Sequence, residues 1–145
     1  MIIFIGSDHV GYLLKEKIKD FLSKEQYEVE DLGPFDLEPE DDFPDYSKKV
    51  CYKILTTLDS KGILICGSGQ GMAISANKFG GIRAALCWSQ ISAKQARKHL
   101  DSNVLCLGAD FISEKKAFRI ISTWLKTPFL NKERYIRRIK KIQGD

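Results

Sequence analysis

A thiol followed directly by a glycine-rich segment is the feature of this sequence best suited to chemistry. Cys66 ends an apolar run, and residues 67–71 read Gly-Ser-Gly-Gln-Gly. Glycines between a strand and a helix let successive backbone N–H groups face one anion, and such dipoles also stabilise a thiolate. Cys66 is therefore a candidate base or nucleophile, with a buried apolar cysteine as the alternative. The segment is neither a P-loop nor a GxGxxG motif, and a tight turn without a ligand is the alternative explanation.

Two histidines and a pair of arginines are further candidates. Asp8 and His9 directly follow the first apolar run, whereas His99 ends a helical segment and is equally consistent with a structural role. Arg134 and Arg138 are four residues apart, so they share one helix face and suit a phosphate group. A solvated basic helix is the alternative for that pair.

The cysteines and the charge distribution exclude several classes of protein. Four cysteines lack CxxC spacing, so we expect free thiols and no zinc site. The net charge of +4 lies in residues 131–145, and residues 28–45 contain nine acids without a lysine or arginine. This distribution argues against nucleic-acid binding and fits a small anionic ligand.

No apolar run approaches the roughly 20 residues of a membrane span. The N-terminal run lacks the basic lead of a signal peptide, so we expect a cytoplasmic protein.

Alternating strand and helix patterns predict an α/β fold. Short apolar runs predict strands at 2–5, 27–32, 63–66, 82–87 and 104–107. Helical spacing predicts helices over 10–22, 46–58, 90–99, 113–125 and about 131–142, with a short one ending near residue 77, and a loop with prolines spans 33–45. We expect one domain, 1–145, with a five-stranded parallel sheet covered by helices on both faces. Ligands should bind beyond the carboxyl ends of its strands, where Asp8, His9 and the glycine segment lie.

Taken together, these motifs resemble the sugar-phosphate isomerase family that contains the B-type ribose-5-phosphate isomerases and the galactose-6-phosphate isomerase subunits. The matching residues run in order over nearly the whole chain: Gly6-Ser7-Asp8-His9-Val10-Gly11, Asp42-Phe43-Pro44-Asp45-Tyr46, the segment 62–71, Ala76-Asn77-Lys78, Gly81-Ile82-Arg83-Ala84, His99, Asn103-Val104-Leu105, Leu107-Gly108, Arg134 and Arg138. The resemblance implies a Rossmann-like three-layer sandwich that works as a homodimer or dimer of dimers with shared active sites. It also implies interconversion of ribose 5-phosphate and ribulose 5-phosphate without a metal or nucleotide.

The resemblance assigns catalytic roles to four residues. Cys66 would be the base that takes the proton from C2 of the sugar, and Ser68 would help to move protons between the two oxygens. His99 would open the furanose ring, reaching in from the partner subunit, and Asp8 would bind near the ring oxygen.

Substrate-binding roles follow from the same resemblance. His9, Arg134 and Arg138 would hold the phosphate, and the amides of residues 67–71 would cradle the enediolate oxygen. The other implied substrate-binding positions are Gly67, Gly69, Gly71 and Asn103.

The sequence departs from the family pattern at four positions. Phe43 stands where many relatives have tyrosine, and Asp110 lies where relatives commonly carry a phosphate-binding arginine. Ser68 replaces a frequent threonine, and Met72 stands where some relatives use glutamate as the base, which favours Cys66 in that role.

Three alternative functions remain open. The substrate could be galactose 6-phosphate or another hexose phosphate, although galactose-specific relatives pair unlike subunits, one of which generally lacks the cysteine. The chain could also be a non-catalytic sugar-phosphate-binding module. RNA binding through the basic tail is the third alternative, and that tail lacks interleaved aromatic residues.

Overall fold

A computed structural model describes residues 1–144, in which five parallel strands alternate with helices. The elements are β1 (Ile2–Ser7), α1 (Tyr12–Lys24), β2 (Glu28–Asp31), α2 (Phe43–Thr56), β3 (Ser60–Cys66), α3 (Gln70–Ala76), β4 (Ala84–Leu86), α4 (Gln90–Leu100), β5 (Val104–Gly108), α5 (Glu114–Lys126) and α6 (Glu133–Ile142). The predicted α/β architecture is confirmed. Asp145, the last residue of the predicted domain, lies outside the described residues. No helix in the described part of the chain is both long and apolar enough to cross a bilayer.

The alternation of side chains along the strands divides the core into two layers. One layer is made by odd-numbered strand residues such as Ile5, Ile65 and Leu107, which pack against α1, α4 and α5. The other is made by even-numbered residues such as Leu64 and Cys66, which pack against α2 and α3. Successive side chains point to opposite faces of a strand, so both faces of the sheet are covered.

The strand order is β2-β1-β3-β5-β4, so the chain moves to one side of β1 to make β2 and to the other side to make β3. The pairing register sets Ser7 opposite Ile65, at the carboxyl ends of β1 and β3. This is the switch point at which open parallel sheets bind ligands. Residues 8–9 and 66–71 therefore emerge side by side.

Most predicted elements differ by one to three residues from the observed bounds, and a helix and a strand illustrate these differences. The helix expected over 46–58 begins at Phe43, because Pro44 lies in the first turn, where its missing N–H costs nothing. It ends at Thr56, and Leu58 is exposed beyond it. The strand expected over 82–87 is limited to Ala84–Leu86.

A buried charge cluster joins α1 to the end of β2. The Lys15 ammonium is fully buried and contacts both oxygens of Asp31 at 2.7 and 2.8 Å. Lys19 also donates to Asp31 at 2.7 Å. Burial alone would raise the pKa of Asp31, but the hydrogen bonds from the two lysines outweigh it, so its pKa lies below the usual value. The ionised carboxylate therefore stabilises the fold.

Asp31→Asn should lower the free energy of unfolding by about 3 kcal/mol at neutral pH, because it leaves the Lys15 charge buried without its main partner. Because the pKa of Asp31 is lower in the folded protein than its ordinary value of 3.8, the ionised carboxylate stabilises the fold fully at a pH above 3.8. This contribution is lost as the pH falls through the lower pKa of the folded state. Urea denaturation at several pH values measures the difference between wild type and variant. The difference in stability between the two proteins should shrink below about pH 4. Asp20→Asn, at an exposed position of α1, is the control and should have little effect on stability. Equal stability of wild type and Asp31→Asn at neutral pH would show that the ionised carboxylate does not stabilise the fold.

Candidate active site

The Cys66 sulfur lies at the end of β3, inside the turn that leads into α3. The Gly69 N–H donates to Cys66 Sγ at 3.2 Å, and Gly69 has φ +76°, a left-handed conformation that favours glycine. A Cβ atom at Gly69 would lie 2.9 Å from the Leu107 carbonyl carbon. A backbone N–H directed at sulfur is the contact that stabilises a thiolate. The turn therefore provides the setting that a cysteine base needs.

The remaining thiols are buried in the core. Burial raises the pKa of Cys51 and of Cys87 to about 11 in each case. Burial also raises the pKa of Cys106 far above its usual value. These three groups stay protonated at neutral pH and are inert as bases. Cys66 is the cysteine that lies beside the glycine segment at the switch point.

Two backbone N–H groups of the glycine segment already donate hydrogen bonds within the protein. The Gly69 N–H is directed at Cys66 Sγ, and the Gln70 N–H donates to Ser68 Oγ at 3.3 Å. The cradle expected from residues 67–71 therefore depends on the remaining amides of the segment. Ser68 is half-buried, and only Gly67 separates it from Cys66, the last residue of β3.

Two side chains from other segments border the glycine segment. A Cβ atom at Gly67 would lie 2.9 Å from Asp110 Oδ2, and one at Gly71 would lie 2.7 Å from the Phe43 ring. Asp110 is held there by its own N–H, which donates to the Gly67 carbonyl at 2.9 Å. The carboxylate thus brings a negative charge to one end of the segment, and Phe43 closes the other end with an apolar ring.

Asp8 and His9 follow β1 at the same edge of the sheet. The Asp8 N–H donates to the Ile65 carbonyl at 3.2 Å, and Asp8 Oδ1 accepts the Gly11 N–H at 3.1 Å. Burial raises the pKa of Asp8, although the Gly11 hydrogen bond opposes this effect. The His9 ring is about one-third exposed, and its Nδ1 lies 2.7 Å from Asp41 Oδ1. A carboxyl and an imidazole therefore lie next to the strand that carries Cys66.

His99 lies at the opposite edge of the sheet. Because α4 follows β4 and ends before β5 begins, its last turn is at the amino ends of the strands. The His99 ring stacks on buried Tyr135 of α6, with ring centroids 4.8 Å apart. Arg134 Nη2 donates to the Tyr135 hydroxyl at 2.9 Å, and the guanidinium lies over the same ring. Exposed Arg138 follows one turn later on α6.

Asn103 also lies at the amino edge, directly before β5. Its Oδ1 accepts the Arg83 N–H at 2.8 Å, and its Nδ2 donates to the Gly81 carbonyl at 2.9 Å. Its amide is therefore engaged in holding the chain that leads into β4. Within one chain, the predicted site residues form two groups: Asp8, His9, Cys66, Ser68, Gly67, Gly69 and Gly71 at the carboxyl edge, and His99, Asn103, Arg134 and Arg138 at the amino edge.

Within residues 1–144, no cluster of three or more His, Cys, Asp or Glu side chains has an arrangement able to hold a metal ion. The groups that the chain itself brings to the carboxyl edge are a thiol, a carboxyl, an imidazole and backbone amides.

Comparison with known proteins identifies relatives of this arrangement. A family model described as Ribose/Galactose Isomerase matches residues 3–142. The chain belongs to this family. The probable ribose-5-phosphate isomerase B of Mycoplasma genitalium is 43% identical over 141 residues, which are 97% of this chain and 92% of that protein.

Solved structures of the ribose/galactose isomerase family share the fold over almost the whole chain. The ribose 5-phosphate isomerase of Thermotoga maritima has a TM-score of 0.95 at 45% identity, covering 99% of this chain and 98% of that one. Ribose-5-phosphate isomerase B from M. genitalium, solved with bound ribulose 5-phosphate, has a TM-score of 0.94 at 42% identity, covering 99% and 94%. The predicted family is confirmed.

Sequence reasoning missed two residues that shape this family member's site. Asp41 appeared only as part of an acidic run, and Tyr135 only as part of a basic helix. Asp41 contacts His9, which is 32 residues away in the chain, and Tyr135 stacks on His99, which is 36 residues away. No local pattern marks such pairs, because tertiary packing alone brings them together.

Gly69→Ala should destabilise the protein by roughly 2–4 kcal/mol, because a side chain is strained at this φ and meets the β5 backbone. Thermal unfolding of the variant measures the loss. Gly80→Ala is the matched control, since a Cβ atom there meets nothing within 4 Å. The control should be neutral or stabilising by up to about 0.5 kcal/mol. Equal melting temperatures for the two variants would contradict the role of the turn.

Proposed function

We propose that this chain is an aldose–ketose isomerase that interconverts ribose 5-phosphate and ribulose 5-phosphate. The observation that carries the proposal is Cys66 at the switch point of the sheet, with the Gly69 N–H directed at its sulfur. Membership of the ribose/galactose isomerase family supports it, as does the M. genitalium relative with bound ribulose 5-phosphate.

The reaction moves one proton between adjacent carbons. The Cys66 thiolate takes the proton from C2 of the open-chain aldose, and the electron pair passes to O1, which gives an enediolate. The thiol then returns the proton to C1, while Ser68 assists the transfer of the hydroxyl proton from O2 to O1. Fixed N–H donors stabilise the charge that develops on oxygen, which is the largest electrostatic demand of this step.

The charges around Cys66 favour one orientation of the substrate. The Asp110 carboxylate against Gly67 repels a phosphate at that end of the glycine segment. His9 follows β1 on the other side of β3 and is the cationic candidate among the predicted site residues at this edge. The phosphate is therefore expected towards His9, with the reacting carbons over Cys66 and the Asp8 carboxyl near the ring oxygen.

A complete site needs a second copy of the chain. His99, Arg134 and Arg138 lie at the amino edge, and the sheet separates them from Cys66 in the same chain. A dimer in which the amino edge of one copy meets the carboxyl edge of the other would bring ring-opening and phosphate-binding groups to the thiol. We therefore expect a homodimer, or a dimer of dimers, with shared active sites.

Cys66→Ala should lower kcat by about 10²–10⁴-fold, because no other thiol at the carboxyl edge can act as the base. Binding of ribose 5-phosphate, measured by calorimetry, should survive the change. Cys87→Ala removes a buried thiol of similar size and should leave kcat near the wild-type value. Unimpaired turnover by Cys66→Ala would exclude Cys66 as the base.

The substrate is tested in a coupled assay of ribulose 5-phosphate formation from ribose 5-phosphate, with a chelator present. Parallel assays use galactose 6-phosphate and other hexose phosphates. Ketose formed from a hexose phosphate alone would replace the pentose assignment, and binding without turnover of any sugar phosphate would favour a binding module.

Mixed subunits test the shared site. Cys66→Ala and His99→Gln homodimers should each be inactive, whereas mixing and reassembling them should restore about a quarter of wild-type activity. Half of the reassembled dimers contain both variants, and one of the two sites in such a dimer has both residues intact. If His99 acted on Cys66 of its own chain, every site would lack one residue and no activity would return.

A further inference from the structure

The contact between His9 and Asp41 gives the imidazole a fixed orientation. Asp41 Oδ1 accepts two hydrogen bonds from the same residue, one from the His9 backbone N–H at 3.0 Å and one from Nδ1 at 2.7 Å. A carboxylate only accepts hydrogen bonds, so Nδ1 carries a proton. Nε2 is then the ring nitrogen available to a ligand.

Asp41 is itself held in place by an anchored segment. The acidic segment, defined here as residues 33–41, folds over the end of β1. Buried Lys15 donates to the Pro34 carbonyl at 2.8 Å, and the Ser7 N–H donates to the Gly33 carbonyl at 3.0 Å. The Asp41 side chain is 8% exposed. The carboxylate is therefore preorganised against His9 by the fold.

We propose that Asp41 is a positioning residue that keeps His9 as an imidazolium cation, with its Nε2–H directed at the phosphate of the substrate. This inference rests on the proposed function for its ligand, but the charge state of His9 can be measured without turnover. It assigns to the acidic segment a role in binding an anion, which the charge of the segment alone would oppose.

The charges around His9 agree with this arrangement. The Asp41 hydrogen bond raises the pKa of His9, partial burial opposes it, and the negative charges of Asp8 and Glu40 act in the same direction as Asp41. Tyr46 faces the Asp41 carboxylate, and burial together with that charge raises the pKa of the phenol to about 12. Tyr46 thus stays neutral and adds no negative charge of its own beside Asp41.

The chemistry of imidazole explains why the charge matters. When His9 is neutral with its proton on Nδ1, Nε2 presents a lone pair and repels a phosphate oxygen. When His9 is protonated, Nε2 donates a charge-assisted hydrogen bond to the same oxygen. A raised pKa therefore preserves phosphate binding as the pH rises above 6.5, the ordinary value for histidine.

The first test measures the charge state of His9 in the wild-type protein. NMR titration of the wild-type protein follows its two histidines, and His99→Gln assigns the two signals. The midpoint of His9 should lie above the ordinary value of 6.5. A midpoint at or below that value would overturn the proposal.

The second test is Asp41→Asn, which keeps the shape and the carbonyl acceptor but removes the charge. The His9 midpoint should fall, and each unit of fall lowers the protonated fraction about tenfold at a pH above both values. KM for ribose 5-phosphate should then rise roughly five- to tenfold at about pH 8 and less than twofold at about pH 6.5. kcat should change little, because the lost interaction is with a part of the substrate that does not react.

Asp42→Asn is the matched control. Asp42 is the exposed neighbour of Asp41 and its side chain makes no capping hydrogen bond to α2. Its removal should leave both the His9 midpoint and the pH profile of KM at wild-type values. If Asp41→Asn behaves like Asp42→Asn in these two measurements, Asp41 does not control the charge of His9.

Inorganic phosphate separates this proposal from the proposed function. At about pH 8, phosphate should shift the wild-type His9 signal more strongly than the Asp41→Asn signal. If neither ribose 5-phosphate nor another sugar phosphate is turned over, the isomerase assignment fails while this difference still tests Asp41. Turnover with identical phosphate responses in both proteins would overturn the role of Asp41 alone.

Discussion

The parallel pairing of β1 with β3 is the constraint on which the candidate site depends. The register opposes Ser7 to Ile65, so Asp8, directly after β1, and Cys66, the last residue of β3, lie side by side. A shift of one residue would turn the Cys66 side chain from the α2–α3 layer to the other face of the sheet. The packing of both strands prevents such a shift, because each apolar row would enter the layer that is packed around the other row, and the fit on both faces of the sheet would be lost. The hydrophobic core therefore fixes the position of the sulfur.

Charge at the carboxyl edge is distributed so that an anion has one preferred place. Asp110 lies against Gly67, and Asp8 is buried beside Cys66. Among the predicted site residues at this edge, His9 is the one that can carry a positive charge. The basic residues of α6 lie at the amino edge, far from the proposed base Cys66 of the same chain. A second copy of the chain would bring its α6 arginines to the carboxyl edge. Assembly and phosphate recognition are thus linked in the proposed enzyme.

Much of the fold could be predicted from the sequence, because the apolar period of each element is a local property. The runs at 63–66 and 104–107 and the helical spacing of α5 all lie inside the observed elements. The start of α2 could not be predicted in the same way, since Pro44 favours a loop and a first helical turn equally. The carboxyl-edge residues were also predictable, because strand ends in a parallel sheet are a topological site. Pairs such as His9 with Asp41 were not, because they join segments whose separation in sequence carries no signal.

Stability and anion recognition share one network in this chain. Asp31 accepts the Gly33 N–H at 2.9 Å as well as the Lys15 ammonium, so the buried charge cluster anchors the first residue of the acidic segment. Lys15 extends the same anchor to the Pro34 carbonyl. The segment then ends at Asp41, whose carboxylate faces His9. A buried ion pair is weak evidence for stability when it is considered alone, since its desolvation offsets much of the Coulomb attraction. Its position here provides a second reason for its presence: it orders a segment rich in like charges, which would otherwise repel one another and leave His9 without a fixed partner.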